Sequence, residues 1–106
     1  MSGAGSTSGV GTQKSFYTGA KSSIGTSVVQ ISSSTTYLNK GILVKAAKAN
    51  SGTVYVGSSG VTAGTTDATD GFELGAGESI FIETDRLDRV YAIASASSQK
   101  VFWVAV

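Results

Sequence analysis

The sequence predicts an all-β fold: a compact antiparallel β-sandwich or small barrel behind a flexible Gly/Ser-rich N-terminal arm. Three observations point there. The apolar runs are short, rich in Val, Ile, Phe, Tyr and Trp, and separated by Gly, Ser, Asn and Asp, as strands and turns are. No run sustains the helical period with capping residues at its ends. The length of 106 residues suits one domain and is too short for two substantial cores. We divide the chain into an arm, residues 1–13, and a single β domain, residues 14–106.

The arm is almost entirely Gly, Ser, Thr and Ala. Such a segment buries too little apolar surface to offset its backbone entropy, so it is expected to be flexible alone, either as an ordinary disordered tail or as an arm that orders against a partner. Phe16 and Tyr17 follow it and are candidates to anchor it. The first strand is expected within residues 24–32, IGTSVVQIS, and Ser33 to Thr36 connects it to the next. That next strand centres on GILVKA. Ile42, Val44 and Ala46 share one face, while Leu43, Lys45 and Ala47 share the other, because side chains alternate along a strand. Lys45 marks its face as exposed, or the strand as an edge. Ala49-Asn50-Ser51-Gly52 reads as a hairpin turn returning into Thr53 to Val56, since Asn and Gly tolerate positive φ. Gly57 to Asp70 is a polar loop with at most a short strand near Val61, and Gly71 to Leu74 pairs back into the sheet.

Residues 71–106 organise the rest. Three apolar runs, Ser79 to Thr84, Arg89 to Ala94 and Lys100 to Val106, are joined by short polar connectors. Thr84 to Asp88 is expected to make a single helical turn capped by Thr84 or Asp85. The last run is apolar on both sides: Val101, Trp103 and Ala105 on one, Phe102, Val104 and Val106 on the other. Phe81 and Ile82 add a second two-sided segment. A lone antiparallel sheet keeps one face polar, so this strand lies between two layers or touches a second chain. One face is expected to be core and the other interface, which makes Phe102 and Trp103 candidate interface residues and implies self-association.

Composition narrows the function. The net charge is +1 and only 14% of residues are charged, so nothing in the electrostatics calls for nucleic acid or an anionic membrane. No stretch approaches the roughly 18 apolar residues of a membrane helix. The start, MSGAGSTSGVG, lacks the basic end and apolar centre of a signal peptide. Histidine and cysteine are both absent, which removes the usual general base, thiol nucleophile and zinc ligands. No Gly-x-Ser-x-Gly elbow occurs, and Gly75-Ala76-Gly77 is a turn without a phosphate-loop pattern. Asp67-Ala68-Thr69-Asp70-Gly71 supplies only two carboxylates, short of a calcium loop, and reads as an Asx turn. We therefore expect no enzyme, no catalytic residue, no cofactor and no metal. Asp85, Arg86, Asp88 and Arg89 form the densest charge in a charge-poor chain, either a charged turn or a polar contact at a subunit boundary.

The segments GILVKAAKANSGTVYVGSSGVTAG, GFELGAGESIFIETDRLDRVYAIAS and QKVFWVAV, in that order, carry one resemblance. Residues 41–106 resemble small virion structural proteins of tailed bacteriophages, head decoration (cement) proteins among them. The shared features are a GTVYVG-like hairpin arm, a Gly-x-Gly-Glu-Ser turn before an apolar strand, and a VYAIAS-like strand before the last one. Similar segments also resemble tail- or fibre-associated modules. The resemblance implies a virion protein on the outer surface of the head, bound to the major capsid protein. It also implies a homotrimer, because proteins of this type commonly sit at three-fold positions of capsids. The tail or fibre alternative implies an adhesion module that binds host surface carbohydrate.

Overall fold

In the computed structural model, residues 16–106 are described. They form eight strands: β1 (Tyr17–Ile24), β2 (Val29–Gln30), β3 (Gly41–Ala46), β4 (Val54–Gly57), β5 (Phe72–Leu74), β6 (Ser79–Glu83), β7 (Tyr91–Ala94) and β8 (Gln99–Ala105). A single 3-10 turn, Leu87–Arg89, lies between β6 and β7, and the described residues contain no α-helix. The strands make two four-stranded antiparallel sheets, ordered β1-β8-β3-β6 and β2-β7-β4-β5. Neither sheet closes on itself, so of the two expected architectures the protein adopts the sandwich and not the barrel. The expected arm, residues 1–13, lies outside the described residues.

The core forms where the alternating apolar sides of the two sheets meet. Ile42, Val44 and Ala46 from β3, and Val101 and Ala105 from β8, face Val54, Val56, Leu74, Ala92 and Ala94 of the other sheet, all buried. Ile24, Ile31, Leu38, Leu87 and Val90 join the same cluster. Each Val, Leu or Ile so buried contributes about 1.5–3 kcal/mol against its ordering cost. Lys45 on the opposite side of β3 is exposed, as expected, but β3 is a central strand and not an edge.

Three expectations about local structure need correction. The first strand is β1, which begins at Tyr17; only the two residues of β2 fall inside the expected 24–32 segment, apart from Ile24 at the end of β1. Tyr17 is therefore the first residue of a sheet strand. Second, Ala49 to Gly52 does not close a hairpin. β3 pairs with β6 and β8, whereas β4 pairs with β5 and β7, so the chain crosses from one sheet to the other there. Side chains hold the crossing. Asn50 Nδ2 donates to the Lys100 carbonyl (2.9 Å), and the Lys100 N–H donates to Asn50 Oδ1 (2.9 Å), which imitates a strand pair. Gln99, buried at 1% exposure, accepts from the Gly52 N–H (2.8 Å) and donates to Ser51 Oγ and to the Ser97 carbonyl. A buried amide with both ends satisfied costs little and fixes the loop. Third, neither Thr84 nor Asp85 caps the helical turn. The residue at its N-terminus is Arg86, in extended geometry with no side-chain cap. The turn is fastened instead by Leu38 N–H to Asp85 carbonyl (2.8 Å) and Leu87 N–H to Thr36 carbonyl (3.0 Å).

β1 contains a device that sequence alternation hides. Lys21 pairs with Val101 but Ile24 pairs with Gln99, three residues against two, so β1 carries a bulge. Ser23 supplies it, at φ 58° in the left-handed region. One extra residue reverses the alternation. Ile24 thereby turns into the core instead of out to solvent.

Candidate interaction surface

The side of the β1-β8-β3-β6 sheet that turns away from the core is the most distinctive surface of the described residues. Register fixes its rows, because directly paired residues share a face. One row reads Thr18, Val104, Leu43, Phe81 across the four strands. The next reads Ala20, Phe102, Lys45, Ser79. Leu43 (40%), Phe81 (45%) and Phe102 (44%) remain accessible although they stand in the middle of strands. Three large apolar side chains on adjacent strands, with Val104 between them, form a contiguous patch and not scattered surface residues. Patches of this kind mark interaction sites. Lys100 and Lys45 border it at one end and Glu83 at the other; Lys100 Nζ lies 4.8 Å from the centre of the Phe102 ring. That ammonium stands over the ring, and Phe102 still remains accessible.

β8 separates the two candidate residues of the C-terminal strand. Phe102 lies on this outer face. Trp103 lies on the core side, where its indole packs over Gly19 of β1. A Cβ at Gly19 would sit 2.7 Å from Trp103 Cε2, so only a glycine admits the ring. Trp103 Nε1 is shielded and has no hydrogen-bond partner among the described residues. Phe16 and Tyr17, both exposed, stand at the end of the sheet where β1 begins and β6 finishes.

Asp85, Arg86, Asp88 and Arg89 occupy that same end, at the opposite edge. They are paired with one another. Arg86 grips Asp88 with two parallel bonds, Nε to Oδ1 at 2.7 Å and Nη2 to Oδ2 at 3.1 Å. Arg89 Nε meets Asp85 Oδ1 at 2.7 Å, a pair open to solvent. The Arg86 guanidinium holds the Asp88 carboxyl below its ordinary range, and Asp88, followed by the Tyr37 hydroxyl, raises Arg86. Gln30 Nε2 donates to the Asp88 carbonyl, which ties the turn to β2. The four charges therefore brace the turn, and the exposed Arg89–Asp85 pair is the half that remains available to a partner. A shallow polar cleft of about 390 Å³ opens beside them, lined by Gln30, Ser58, Ser59, Arg86, Asp88, Arg89 and Tyr91.

The Asp67 to Gly71 segment is an internally bonded loop. Asp70 accepts from Thr62 Oγ1 (2.6 Å) and from the N–H groups of Thr66 (3.0 Å) and Asp67 (2.8 Å). These bonds, that from Thr62 first, lower the Asp70 carboxyl below its ordinary range. No group of three or more metal-ligating side chains occurs among the described residues.

Val104 and Phe81, which the sequence placed only on two-sided apolar segments, and Leu43, to which it gave no interface role, complete the patch. The signal was present in the Leu43/Lys45 face of β3, but only the register shows that it abuts Phe102. In comparisons with known proteins, neither a protein family, nor a curated protein, nor a solved structure matches the chain.

Proposed function

We propose that this chain is a non-enzymatic virion structural protein, a head decoration protein of the tailed-bacteriophage type. It sits on the outer surface of the head and bridges neighbouring major capsid subunits. The observation that carries the reading is the apolar patch of Phe102, Leu43, Phe81 and Val104, which no other described residue covers. An open sheet face with a charged margin suits docking on another protein surface, and it offers no enclosed site for a small substrate. The mechanism is mass action: a protein that binds only the assembled lattice lowers that lattice's free energy by its binding free energy. The resemblance of residues 41–106 supplies the identity of the partner and the homotrimeric, three-fold arrangement.

A second reading draws on a different observation. Tyr37 (73% exposed) and Phe72 (57%) present aromatic surface away from the patch, as a carbohydrate-binding adhesion module of a tail or fibre would. One experiment separates them. The protein is co-sedimented with purified empty capsids, with and without a panel of host surface glycans as competitors. Decoration predicts saturable binding to capsids that glycans leave unchanged and that Phe102→Asp abolishes. Glycan binding by the isolated protein, with no capsid binding, would overturn the decoration reading in favour of adhesion.

A further inference from the structure

The two sheets have four edges: β1 and β6 on one, β2 and β5 on the other. A bare edge is a template for another chain, and proteins blunt edges with bulges, inward-facing charges or extreme shortness. Three of these four are blunted. β1 has its bulge at Ser23, and it places Lys21 on the core side opposite Val101. β2 has two residues and β5 has three. β6 has no such protection. Its five residues, Ser-Ile-Phe-Ile-Glu, pair with β3 in unbroken register, and among the described residues nothing pairs with its other side.

The direction of its free hydrogen-bonding groups is fixed by β3. The Ala46 N–H donates to the Glu78 carbonyl, in step with the Val44–Ile80 and Ile42–Ile82 pairs. Bonded residues alternate along an antiparallel pair. Ile80 and Ile82 therefore turn their backbone groups to β3, and Ser79, Phe81 and Glu83 turn theirs outward.

We propose that β6 is the docking strand for a second copy of this chain, the two strands pairing antiparallel about a two-fold axis at Phe81. This register uses all three outward-directed residues: Phe81 opposite Phe81 of the second copy, and Ser79 opposite its Glu83, twice. No like charges meet. Lys45 stands beside Ser79 in the same row. The Glu83 of the second copy would stand on the other side of that small serine, two strand spacings or about 10 Å from Lys45 at the backbone. Extended lysine and glutamate side chains close that gap, so each Lys45 gains a Glu83 carboxylate across the axis. On the core side, Ile80 meets Ile82 of the second copy. The pair closes the apolar cleft of about 330 Å³ that these two isoleucines line with Val56, Phe72 and Val90. The outer patches fuse into one apolar band across eight strands. The contact is two-fold, and so distinct from the three-fold contact of the decoration reading; it goes beyond that reading and does not depend on it.

The test is analytical ultracentrifugation of the full chain at micromolar concentration, together with three variants. Wild type is expected as dimers, or as hexamers where a three-fold contact also forms. Glu83→Lys is expected to weaken the two-fold contact by roughly tenfold, since two attractive pairs become repulsive. The double variant Lys45→Glu/Glu83→Lys restores it, which a folding defect would not do. The chain has no cysteine, so Phe81→Cys offers a single thiol, expected to join two chains through a short thiol-specific cross-linker. Thr18→Cys, on the blunted edge, is not expected to do so. A wild-type monomer or trimer, failure of the double variant to recover, or equal cross-linking at both positions would overturn the proposal. Those results would leave capsid co-sedimentation unaffected, and a failure of co-sedimentation would leave the solution dimer standing.

Discussion

Replacing Phe102 or Trp103 by aspartate places the same charge one residue apart on one strand, and the two variants should behave oppositely. Trp103 packs against the core with its indole over Gly19. Removing a packed aromatic costs about 3–5 kcal/mol, with the lower end apt here because the side chain is only partly buried. A carboxylate on the core side adds a desolvation cost of about 1–3 kcal/mol. The sum, about 4–6 kcal/mol, takes up much or all of the total stability of about 5–15 kcal/mol expected of such a domain. Trp103→Asp should therefore be unfolded or nearly so at 37 °C. Phe102 faces outward at 44% exposure, beside Lys45 and Lys100. An aspartate there loses a cation–π contact of about 0.5–1 kcal/mol and gains two neighbouring ammonium groups, so the net change should stay within about 1 kcal/mol. Each kcal/mol moves the melting temperature by about 4–8 °C in a domain this small. Thermal melting followed by far-UV circular dichroism thus expects a drop of at least about 16 °C, or no transition, for Trp103→Asp. For Phe102→Asp it expects a drop of no more than about 8 °C. Comparable losses in the two variants would refute the assignment of the faces.

Three further outcomes follow from the same structure. Gly19→Ala should destabilise by about 1–2 kcal/mol: the gain of about 0.5–1 kcal/mol from removing a strand glycine is outweighed by overlap with the indole. Denaturation read by the fluorescence of Trp103, the sole tryptophan, checks it, and a stabilised variant would contradict the packing. Gln99→Leu should cost about 2–3 kcal/mol, because it leaves the Gly52 N–H without its acceptor beneath the crossing loop; an unchanged denaturation midpoint would mean that water replaces the amide freely. Asp88 and Asp70 both have folded carboxyl pKa values below the ordinary 3.8. Their contribution is therefore complete above that value and is lost as pH falls below it towards the folded values. Acid titration of the melting temperature should show this loss, and it should be shallower in Asp88→Asn and Asp70→Asn; a variant as acid-sensitive as wild type would remove that carboxylate from the explanation.

The sequence identified strand composition well and strand partnership poorly. Val, Ile and aromatic runs separated by turn residues were sufficient for β3, β4, β6, β7 and β8, and the alternation of Ile42, Val44 and Ala46 against Lys45 named the buried side of β3. Partnership failed at Asn50. An Asn-Ser-Gly turn has the same local chemistry whether it reverses a strand within a sheet or carries it to the opposite sheet. What decides is the long-range pair of bonds between Asn50 and Lys100, which no local window contains. β1 was missed because YTGAKSSI alternates weakly and its bulge breaks the period; its pairing with β8 overrides poor propensity. The candidate surface was half legible. The two-sided β8 required a second apolar environment, but which side was core depended on Gly19 lying opposite Trp103, a fact of register. The charge cluster at Asp85 to Arg89 was visible at once, whereas its mutual pairing was not, since a two-residue bidentate contact depends on the extended backbone at Arg86.

The claim on which the account rests is that the outer side of the β1-β8-β3-β6 sheet is the binding surface. Hydroxyl-radical footprinting of the protein free and bound to its assembled partner measures that directly, because it reads side chains and not the backbone. Phe102 and Phe81 are expected to lose most of their reactivity on binding, while Tyr37 and Phe72, exposed elsewhere, keep theirs. Protection of Tyr37 and Phe72 with Phe102 and Phe81 unchanged would contradict the claim and move the binding surface off this sheet.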